Sequence, residues 1–224
     1  MKSFRDKEVL VTGASSGIGR EIAWAFADAG ARLWLADVDE AGLAETAARI
    51  SDKGGVVRTL LCDVSDAQAV QAMADEVHGQ IEALDILVNN AGVASAGYFL
   101  ETTVETWQRV MDINLMGVVH GCYSFLPAMV ERGQGGHVVN TASAAAFLAP
   151  PEMPIYATSK YAVLGFSESL RSDMARYNID VTAVCPGLIN TPIVDSAIME
   201  GRMGEGGRRD KIKRIYERRN YTPE

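Results

Sequence analysis

Short runs of apolar, β-branched residues alternate along the whole chain with longer segments whose apolar residues recur at helical spacing. The short runs predict six strands, near residues 8–12, 31–36, 56–61, 84–88, 136–140 and 179–185. The longer segments predict helices near residues 18–29, 39–53, 65–79, 103–131 and 155–177. This alternation is typical of βαβ units and a parallel sheet covered on both faces. The pattern therefore predicts an α/β fold with a doubly wound parallel sheet in three layers.

The chain shows no internal repeat, low-complexity tract or Pro-rich linker. An α/β fold of 224 residues commonly forms one domain, so we expect residues 1–224 to fold as a unit. No apolar run looks long enough to span a bilayer, and the chain enters its first strand without a signal peptide. We therefore expect a cytoplasmic protein with no membrane span and no nucleic-acid partner.

Cysteine and histidine positions carry no ligand pattern. Cys62, Cys122 and Cys185 have no paired spacing, and the three histidines are scattered. We interpret the cysteines as core thiols and expect no metal site.

Charge is distributed unevenly along the chain. The net charge is −8, yet residues 201–224 hold eight Lys or Arg against four Asp or Glu. The basic residues cluster in a predicted helix from Arg208 to Arg219, which is either a solvated helix over the functional site or an anion-binding surface.

A glycine-rich turn follows the first predicted strand and leads directly into the first predicted helix. In such a turn glycines let backbone N–H groups approach a pyrophosphate, while the helix N-terminus faces the anion. The spacing is G-x-x-x-G-x-G, which differs from the commonest dinucleotide fingerprint. A glycine turn without a ligand is the alternative. The candidate cofactor contacts here are Gly13, Ser15, Ser16, Gly17, Ile18 and Gly19.

Asp37 ends the second predicted strand, about 20 residues beyond the turn. A carboxylate at this place accepts hydrogen bonds from an adenosine ribose and repels a 2′-phosphate. The next residue is Val38 rather than a basic one. Asp37 therefore favours NAD over NADP.

Tyr156 and Lys160 stand four residues apart in the last predicted helix, which places both side chains on one face. A phenol titrates near ~10, too high for ready proton exchange at neutral pH. A neighbouring cation favours the phenolate and lowers the pKa, and an oxidised nicotinamide would add a second positive charge. The pair is thus a candidate acid/base site, although Y-x-x-x-K also occurs by chance on exposed helices.

The glycine turn and the Tyr156/Lys160 pair, in this order, resemble the short-chain dehydrogenase/reductase family, and the resemblance covers nearly the whole chain. Further family motifs fall in sequence. Two of them complete a catalytic tetrad, namely Asn114 and Ser143. The others match the family's cofactor-contacting positions, which are Asp63, Val64, Asn90, Ala91, Gly92, Pro186, Gly187, Ile189 and Thr191.

The resemblance implies an oxidoreductase that transfers a hydride between a nicotinamide cofactor and a secondary alcohol or ketone. Tyr156 would be the acid/base, Lys160 would hold the nicotinamide ribose, Ser143 would bind the reacting oxygen, and Asn114 would anchor a water chain. The alternatives are an NADPH-dependent carbonyl reductase of the same fold and a non-catalytic NAD-binding sensor or interaction protein. The substrate and the direction of the reaction stay open.

Four further expectations concern the rest of the molecule. Residues 190–215 carry four glycines next to the nicotinamide segment, and we expect them to cover the substrate as a lid. The apolar residues of the helices near 103–131 and 155–177 outnumber one sheet-facing stripe, which predicts a homodimer or homotetramer. Thr222-Pro223 is typical of a helix start, so the end at residue 224 suggests a truncated chain or an unusual natural end. The substrate lining is expected to include Ala94, Ser95, Phe147, Leu148, Pro150 and Met153.

Overall fold

The computed structural model describes residues 3–219 and 221–223. Its strands are β1 (Glu8–Thr12), β2 (Arg32–Asp37), β3 (Val56–Leu61), β4 (Ile86–Asn89), β5 (Ser95–Ala96), β6 (Gly136–Thr141), β7 (Ile179–Val184) and β8 (Ile198–Met199). Its α-helices are α1 (Gly17–Asp28), α2 (Glu40–Asp52), α3 (Ala67–His78), α4 (Val104–Met111), α5 (Gly117–Arg132), α6 (Ala145–Leu148), α7 (Pro154–Met174) and α8 (Arg208–Arg219). All six predicted main-sheet strands are present.

The main sheet is parallel throughout and has the strand order β3-β2-β1-β4-β6-β7. The chain runs outward from β1 to β3 and then returns to place β4 on the other side of β1. Strand order therefore reverses between β1 and β4, where ligands of open α/β sheets bind beyond the carboxyl ends of the strands. The predicted three-layer, doubly wound fold is confirmed.

Two apolar clusters pack on opposite faces of the sheet and form the core. Val9 and Leu10 of β1 are fully buried and belong to different clusters, as alternation along a strand requires. Cys62 and Cys122 lie within one cluster, and the partly exposed Cys185 packs against it. The cysteines are core thiols, as the sequence predicts.

Aspartates begin two of the helices that cover the sheet. The Asp39 carboxylate accepts a hydrogen bond from Gly42 N at the start of α2. Asp66 accepts from Gln68 N and Ala69 N at the start of α3. Each contact satisfies backbone donors that have no partner inside the helix, and it explains why both helices begin where they do.

The predicted helix at 103–131 is three consecutive segments. A π-helical turn, Asp112–Met116, separates α4 from α5. By length and composition alone the run Val104–Arg132 passes as a membrane span, contrary to the expectation from the sequence. Many of its apolar residues are instead core residues, since Val110 and Phe125 are fully buried in the molecule.

Some apolar side chains that the sequence predicts at subunit contacts are buried in the chain's own core. Val118, Phe125 and Val163 are buried within a single chain, because α5 also packs against α3 and α7 packs along β7. They are therefore not available to a partner. A homodimer or homotetramer stays a prediction.

Residues 190–215 are structured and tied to the body. β8 pairs with β5, the Glu101 carboxylate pairs with Arg202 at 2.6 Å, and Thr103 Oγ1 donates to Glu200 at 3.0 Å. The predicted helix at Arg208–Arg219 is confirmed as α8. Thr222 and Pro223, where the sequence predicts the start of a further helix, are described and not helical, and Glu224 lies outside the described residues.

Candidate active site

The sequence-predicted site residues gather at the carboxyl edge of the sheet. Each lies in or just after the carboxyl end of a main-sheet strand, or in a helix that packs beside it. The glycine turn follows β1, Asp37 ends β2, Asn90 follows β4 and Ser143 follows β6. Because these strands are parallel neighbours, residues far apart in sequence meet at one crevice.

The glycine turn is packed so tightly that side chains have no room. A Cβ on Gly19 would lie 2.0 Å from Gly13 O and 2.5 Å from Asn90 Nδ2. Gly13 itself has a φ of +66° and its backbone lies against that of Ala91. The start of α1 therefore packs directly against the end of β1, and the glycines add no side chain that would block a ligand at the turn.

The N-terminus of α1 is suited to an anion. Ser16 is its N-cap, yet among the described residues no side chain caps the helix and no acidic residue stands in its first turn. Backbone N–H groups at an uncapped helix start carry partial positive charge and bind phosphates. Gly17 and Ile18 lie in the same turn, and Thr191 lies over Gly17, within 3.2 Å of where its Cβ would be. These residues fit the pyrophosphate of a dinucleotide.

Thr12 and Asn90 join the glycine turn to the loop after β4. Thr12 Oγ1 accepts hydrogen bonds from Asn90 N and Ala91 N, both at 3.0 Å. Asn90 Nδ2 donates back to Thr12 O at 3.1 Å. These bonds hold the two loops that face each other across the switch point.

Asp37 also braces the glycine turn. Its carboxylate accepts hydrogen bonds from Ser15 N at 3.0 Å, Val38 N at 2.8 Å and Asp39 N at 3.1 Å. The negative charge of Asp37 thus lies beside the glycine turn, where the sequence predicts it to meet an adenosine ribose. Arg20, which sequence reasoning missed, donates to Ser15 O from the other side at 3.0 Å.

Asp63 and Val64 follow β3 on the same edge. The exposed Asp63 carboxylate accepts from Ser65 N at 2.9 Å, whereas Val64 is buried and its carbonyl contacts His120 Nδ1 at 2.9 Å. Gly92 lies nearer the centre, since a Cβ there would stand 3.1 Å from Asn114 Oδ1 and 3.4 Å from Lys160 Nζ.

Ser143, Tyr156 and Lys160 converge at the head of α7. The Ser143 hydroxyl lies beside the Tyr156 phenol. Lys160 Nζ stands 5.8 Å from the centre of the Tyr156 ring and donates to Thr141 O at 2.8 Å. The structure therefore brings together two hydroxyls and a buried ammonium, the arrangement that the four-residue spacing predicts.

Asn114 is the fully buried member of the predicted tetrad and lies in the π-helical turn. Its side chain accepts from Val93 N at 2.8 Å and donates to Val93 O and Ser159 Oγ at 2.9 and 3.0 Å. Single π turns inside helices are frequent at functional sites because they redirect a side chain. Ser159, which sequence reasoning missed, is buried and in turn donates to Tyr156 O at 2.8 Å.

The pKa of Tyr156 moves opposite to the sequence expectation. Burial raises it above its ordinary value, the Ser143 hydroxyl acts to lower it, and Tyr216 acts to raise it further. Lys160 does not reverse this, because its ammonium is directed at Thr141 O. The phenol is therefore held protonated, as a hydrogen-bond and proton donor.

Burial lowers the pKa of Lys160 to about 8, while Cys185 acts in the opposite direction. The side chain is only 4% exposed, so its charged form lacks most of the solvation available in water. Lys160 is thus able to change protonation state close to neutral pH.

A pH dependence of stability follows from Lys160. Its pKa falls from 10.5 to about 8 on folding, so the unfolded chain binds a proton that the folded chain lacks between these values. The folded state is penalised by roughly 3 kcal/mol below about pH 8, and the penalty is relieved as pH rises toward 10.5. Relative to Lys160→Met, the wild type should gain unfolding free energy across this window in denaturant titrations. Lys211→Met, which removes an exposed lysine, is the control; the same pH trend in both variants would contradict the assignment.

The segment after β7 closes the crevice. Pro186 O accepts from Ala144 N at 2.8 Å, next to Ser143, and Ile189 N bonds Gly187 O at 3.2 Å. The segment then passes over the glycine turn at Thr191. Pro186, Gly187, Ile189 and Thr191 therefore lie between the tetrad and the turn.

The predicted substrate lining is unevenly exposed. Phe147 and Leu148 are 61% and 76% exposed, so in the protein alone they lie largely in solvent. Ser95 is 3% exposed, and its hydroxyl has no hydrogen-bond partner among the described residues. It lies in β5, the strand that pairs with β8.

Comparison with known proteins identifies the family. The model for the short chain dehydrogenase family matches residues 7–200. The chain belongs to this family. The family assignment made from the motifs is confirmed.

Individual relatives of the short chain dehydrogenase family differ in length and ligand. The probable oxidoreductase EphD of Mycobacterium tuberculosis is 44% identical over 225 residues, covering 99% of this chain and 38% of the relative. The chain thus spans less than half the length of that relative. A Burkholderia phymatum short chain dehydrogenase/reductase in complex with NAD is 39% identical at a TM-score of 0.85, covering 88% of this chain and 70% of that one. L-sorbose reductase from Gluconobacter frateurii, complexed with NADPH and L-sorbose, is 35% identical at 0.82, covering 86% and 73%.

Proposed function

We propose that this chain is an NAD-dependent oxidoreductase that interconverts a secondary alcohol and a ketone. The observation that carries the proposal is the convergence of Ser143, Tyr156 and the buried Lys160 at the carboxyl edge of the sheet, beside an uncapped helix start. The neighbours bound to NAD and to NADPH with L-sorbose support the reaction class.

The cofactor would be held by this chain's backbone and by a few side chains. The N–H groups of the glycine turn would bind the pyrophosphate, Asp37 would accept from the adenosine ribose, and Lys160 would hold the nicotinamide ribose. The bound nicotinamide would supply the hydride chemistry and, when oxidised, a positive charge.

The chain's own residues perform the proton transfer. Ser143 hydrogen-bonds the substrate oxygen and stabilises charge that develops there. Tyr156, kept protonated by burial, gives its proton to that oxygen in reduction, whereas in oxidation it first loses this proton and the resulting phenolate receives the proton of the alcohol. Lys160 orients the site, and Asn114 anchors a water chain that leads from Lys160 to solvent.

A screen of secondary alcohols and ketones with both cofactors tests the proposal. We expect turnover with NAD(H) for at least one medium-sized substrate. Cofactor binding without turnover across the panel would favour the alternative, a non-catalytic NAD-binding protein. Turnover only with NADP(H) would favour the NADPH-dependent reductase.

Cofactor choice yields a separate prediction. Because the Asp37 carboxylate is held beside the glycine turn, NAD(H) should bind at least tenfold more tightly than NADP(H), about 1.4 kcal/mol. Asp37→Asn removes the charge and keeps one acceptor oxygen for Ser15 N, while its amide NH2 can no longer accept from Val38 N and Asp39 N. It should narrow the difference between the NAD(H) and NADP(H) affinities in fluorescence titrations. Asp52→Asn, at the far end of α2, is the matched control. Equal affinities of the wild type for NAD(H) and NADP(H) would contradict the prediction.

A further inference from the structure

Arg20 closes the first turn of α1, where a positive charge is unfavourable. Its N–H donates to Ser16 O at 3.2 Å, and the start of a helix carries partial positive charge that repels a cation. The side chain of Arg20 is nevertheless largely buried, with 19% of its surface exposed. A cation kept at this place needs favourable contacts that offset the repulsion.

The guanidinium of Arg20 holds one carbonyl of the glycine turn. Side chains of a helix tilt toward its N-terminus, so Arg20 reaches back over the residues that precede α1. Its Nε donates to Ser15 O at 3.0 Å, and its Nη2 donates to the same oxygen. Two donors from one rigid, planar group restrict the direction of the Ser15 carbonyl more than a single donor could.

The remaining contacts keep the guanidinium in place. Glu45 of α2 accepts from both terminal nitrogens, at 3.2 and 2.9 Å, and balances the charge of Arg20. Thr46 is fully buried; it accepts from Nε at 3.0 Å, and its hydroxyl lies 3.0 Å from Ala14 O. The guanidinium carbon lies 5.6 Å from the centre of the Trp24 ring. Arg20 is thereby fixed between α1, α2 and the glycine turn.

Both backbone groups of Ser15 are engaged. Its N–H donates to the Asp37 carboxylate at 3.0 Å, while its carbonyl accepts from Arg20. Peptide bonds in the described residues are all trans, so the C=O and N–H of one peptide point in opposite directions. The N–H of Ser16 therefore faces away from the guanidinium, and it has no acceptor among residues 3–219 and 221–223.

We propose that Arg20 is a positioning residue for cofactor binding. By fixing the Ser15 carbonyl, it holds the Ser15–Ser16 peptide with its N–H free for the pyrophosphate, next to the N–H groups of Gly17 and Ile18. A turn that already has its binding geometry loses less conformational entropy when the ligand arrives, so the ligand binds more tightly. This role rests on the cofactor site of the proposed function.

A direct attraction between the charge of Arg20 and the phosphates is the alternative, and salt separates the two. Salt screens a coulombic attraction, whereas it has little effect on a preformed backbone geometry. The ratio of the wild-type and Arg20→Ala affinities for ADP-ribose should therefore change less than twofold between about 0.05 and about 0.5 M NaCl.

Equilibrium binding of ADP-ribose and of adenosine, measured by calorimetry, tests the role without any turnover. ADP-ribose carries the pyrophosphate and adenosine lacks it. Arg20→Ala should weaken ADP-ribose about tenfold and adenosine less than about twofold, because Val38 N and Asp39 N keep the Asp37 carboxylate in place. Arg20→Lys keeps a charged donor but loses the second one. It should weaken ADP-ribose about threefold, and it serves if Arg20→Ala does not fold.

Two control variants remove neighbouring contacts. Arg49→Ala takes away the other arginine at the Trp24 ring, which lies 3.8 Å from the ring centre. Glu45→Gln removes the carboxylate of the ion pair and leaves the donation from Arg20 to Ser15 O. Both variants should bind ADP-ribose within about twofold of the wild type.

Three results would each overturn the role of Arg20. They are an unchanged ADP-ribose affinity in Arg20→Ala, an equal loss for ADP-ribose and adenosine, and a loss that disappears at high salt. A wild type that binds neither ADP-ribose nor NAD(H) overturns the proposed function and this role together. Binding of ADP-ribose without turnover on any substrate contradicts the proposed function alone.

Discussion

Replacing Tyr156 by Phe is expected to lower kcat/KM at least a thousandfold, about 4 kcal/mol of transition-state stabilisation. The change removes one hydroxyl and leaves the ring, so NAD binding should change less than about threefold. Steady-state kinetics and fluorescence titration of NAD measure the two effects separately.

Two further variants make the result for Tyr156 specific. Tyr161→Phe removes a hydroxyl from an exposed tyrosine of the same helix and should leave activity unchanged. Lys160→Ala should weaken both turnover and NAD binding, because we propose that Lys160 holds the nicotinamide ribose and orients the site. Activity within tenfold of wild type in Tyr156→Phe would show that a group other than the Tyr156 hydroxyl transfers the proton.

Replacing Gly19 by Ala is expected to cost roughly 3 kcal/mol of stability and to abolish measurable cofactor binding. The new Cβ would lie 2.0 Å from Gly13 O and 2.5 Å from Asn90 Nδ2, so α1 must move away from β1. That movement displaces the N–H groups of the glycine turn. Urea unfolding and NAD titration measure the two losses.

Gly165→Ala is the matched control for Gly19→Ala. Gly165 also lies within a helix, α7, but no described atom stands within 4 Å of its Cβ position. Alanine there should stabilise the protein by about 0.5–1 kcal/mol, because it restricts the unfolded chain and favours helix. A Gly19→Ala protein as stable as Gly165→Ala, with NAD affinity intact, would refute the packing argument.

The fold, the glycine turn, Asp37 and the Tyr156/Lys160 pair could be predicted from local patterns, whereas the other site residues depend on the resemblance to a known family. Strand β1 and helix α1 are distinct because the continuous apolar run stops before Gly13 and helical spacing begins after Gly17. Asp39 and Asp66 cap helices that periodicity alone had already placed. Such signals lie within a few residues of the feature they specify.

Features that depend on distant contacts could not be predicted. The π-helical turn that carries Asn114 leaves no break in the apolar spacing of the sequence. Its side chain bonds the backbone of Val93, a contact that only the folded chain creates. The raised pKa of Tyr156 depends on burial by the whole site.

The central claim is that this chain transfers a hydride between NAD and a secondary alcohol or ketone. Its most direct test is to mix the protein with NAD and a panel of secondary alcohols and to follow NADH formation by absorbance, with Tyr156→Phe in parallel. The account predicts NADH formation by the wild type with at least one alcohol and none above background by Tyr156→Phe. It is contradicted if the wild type binds NAD but forms no NADH with any alcohol and consumes none with the matching ketones.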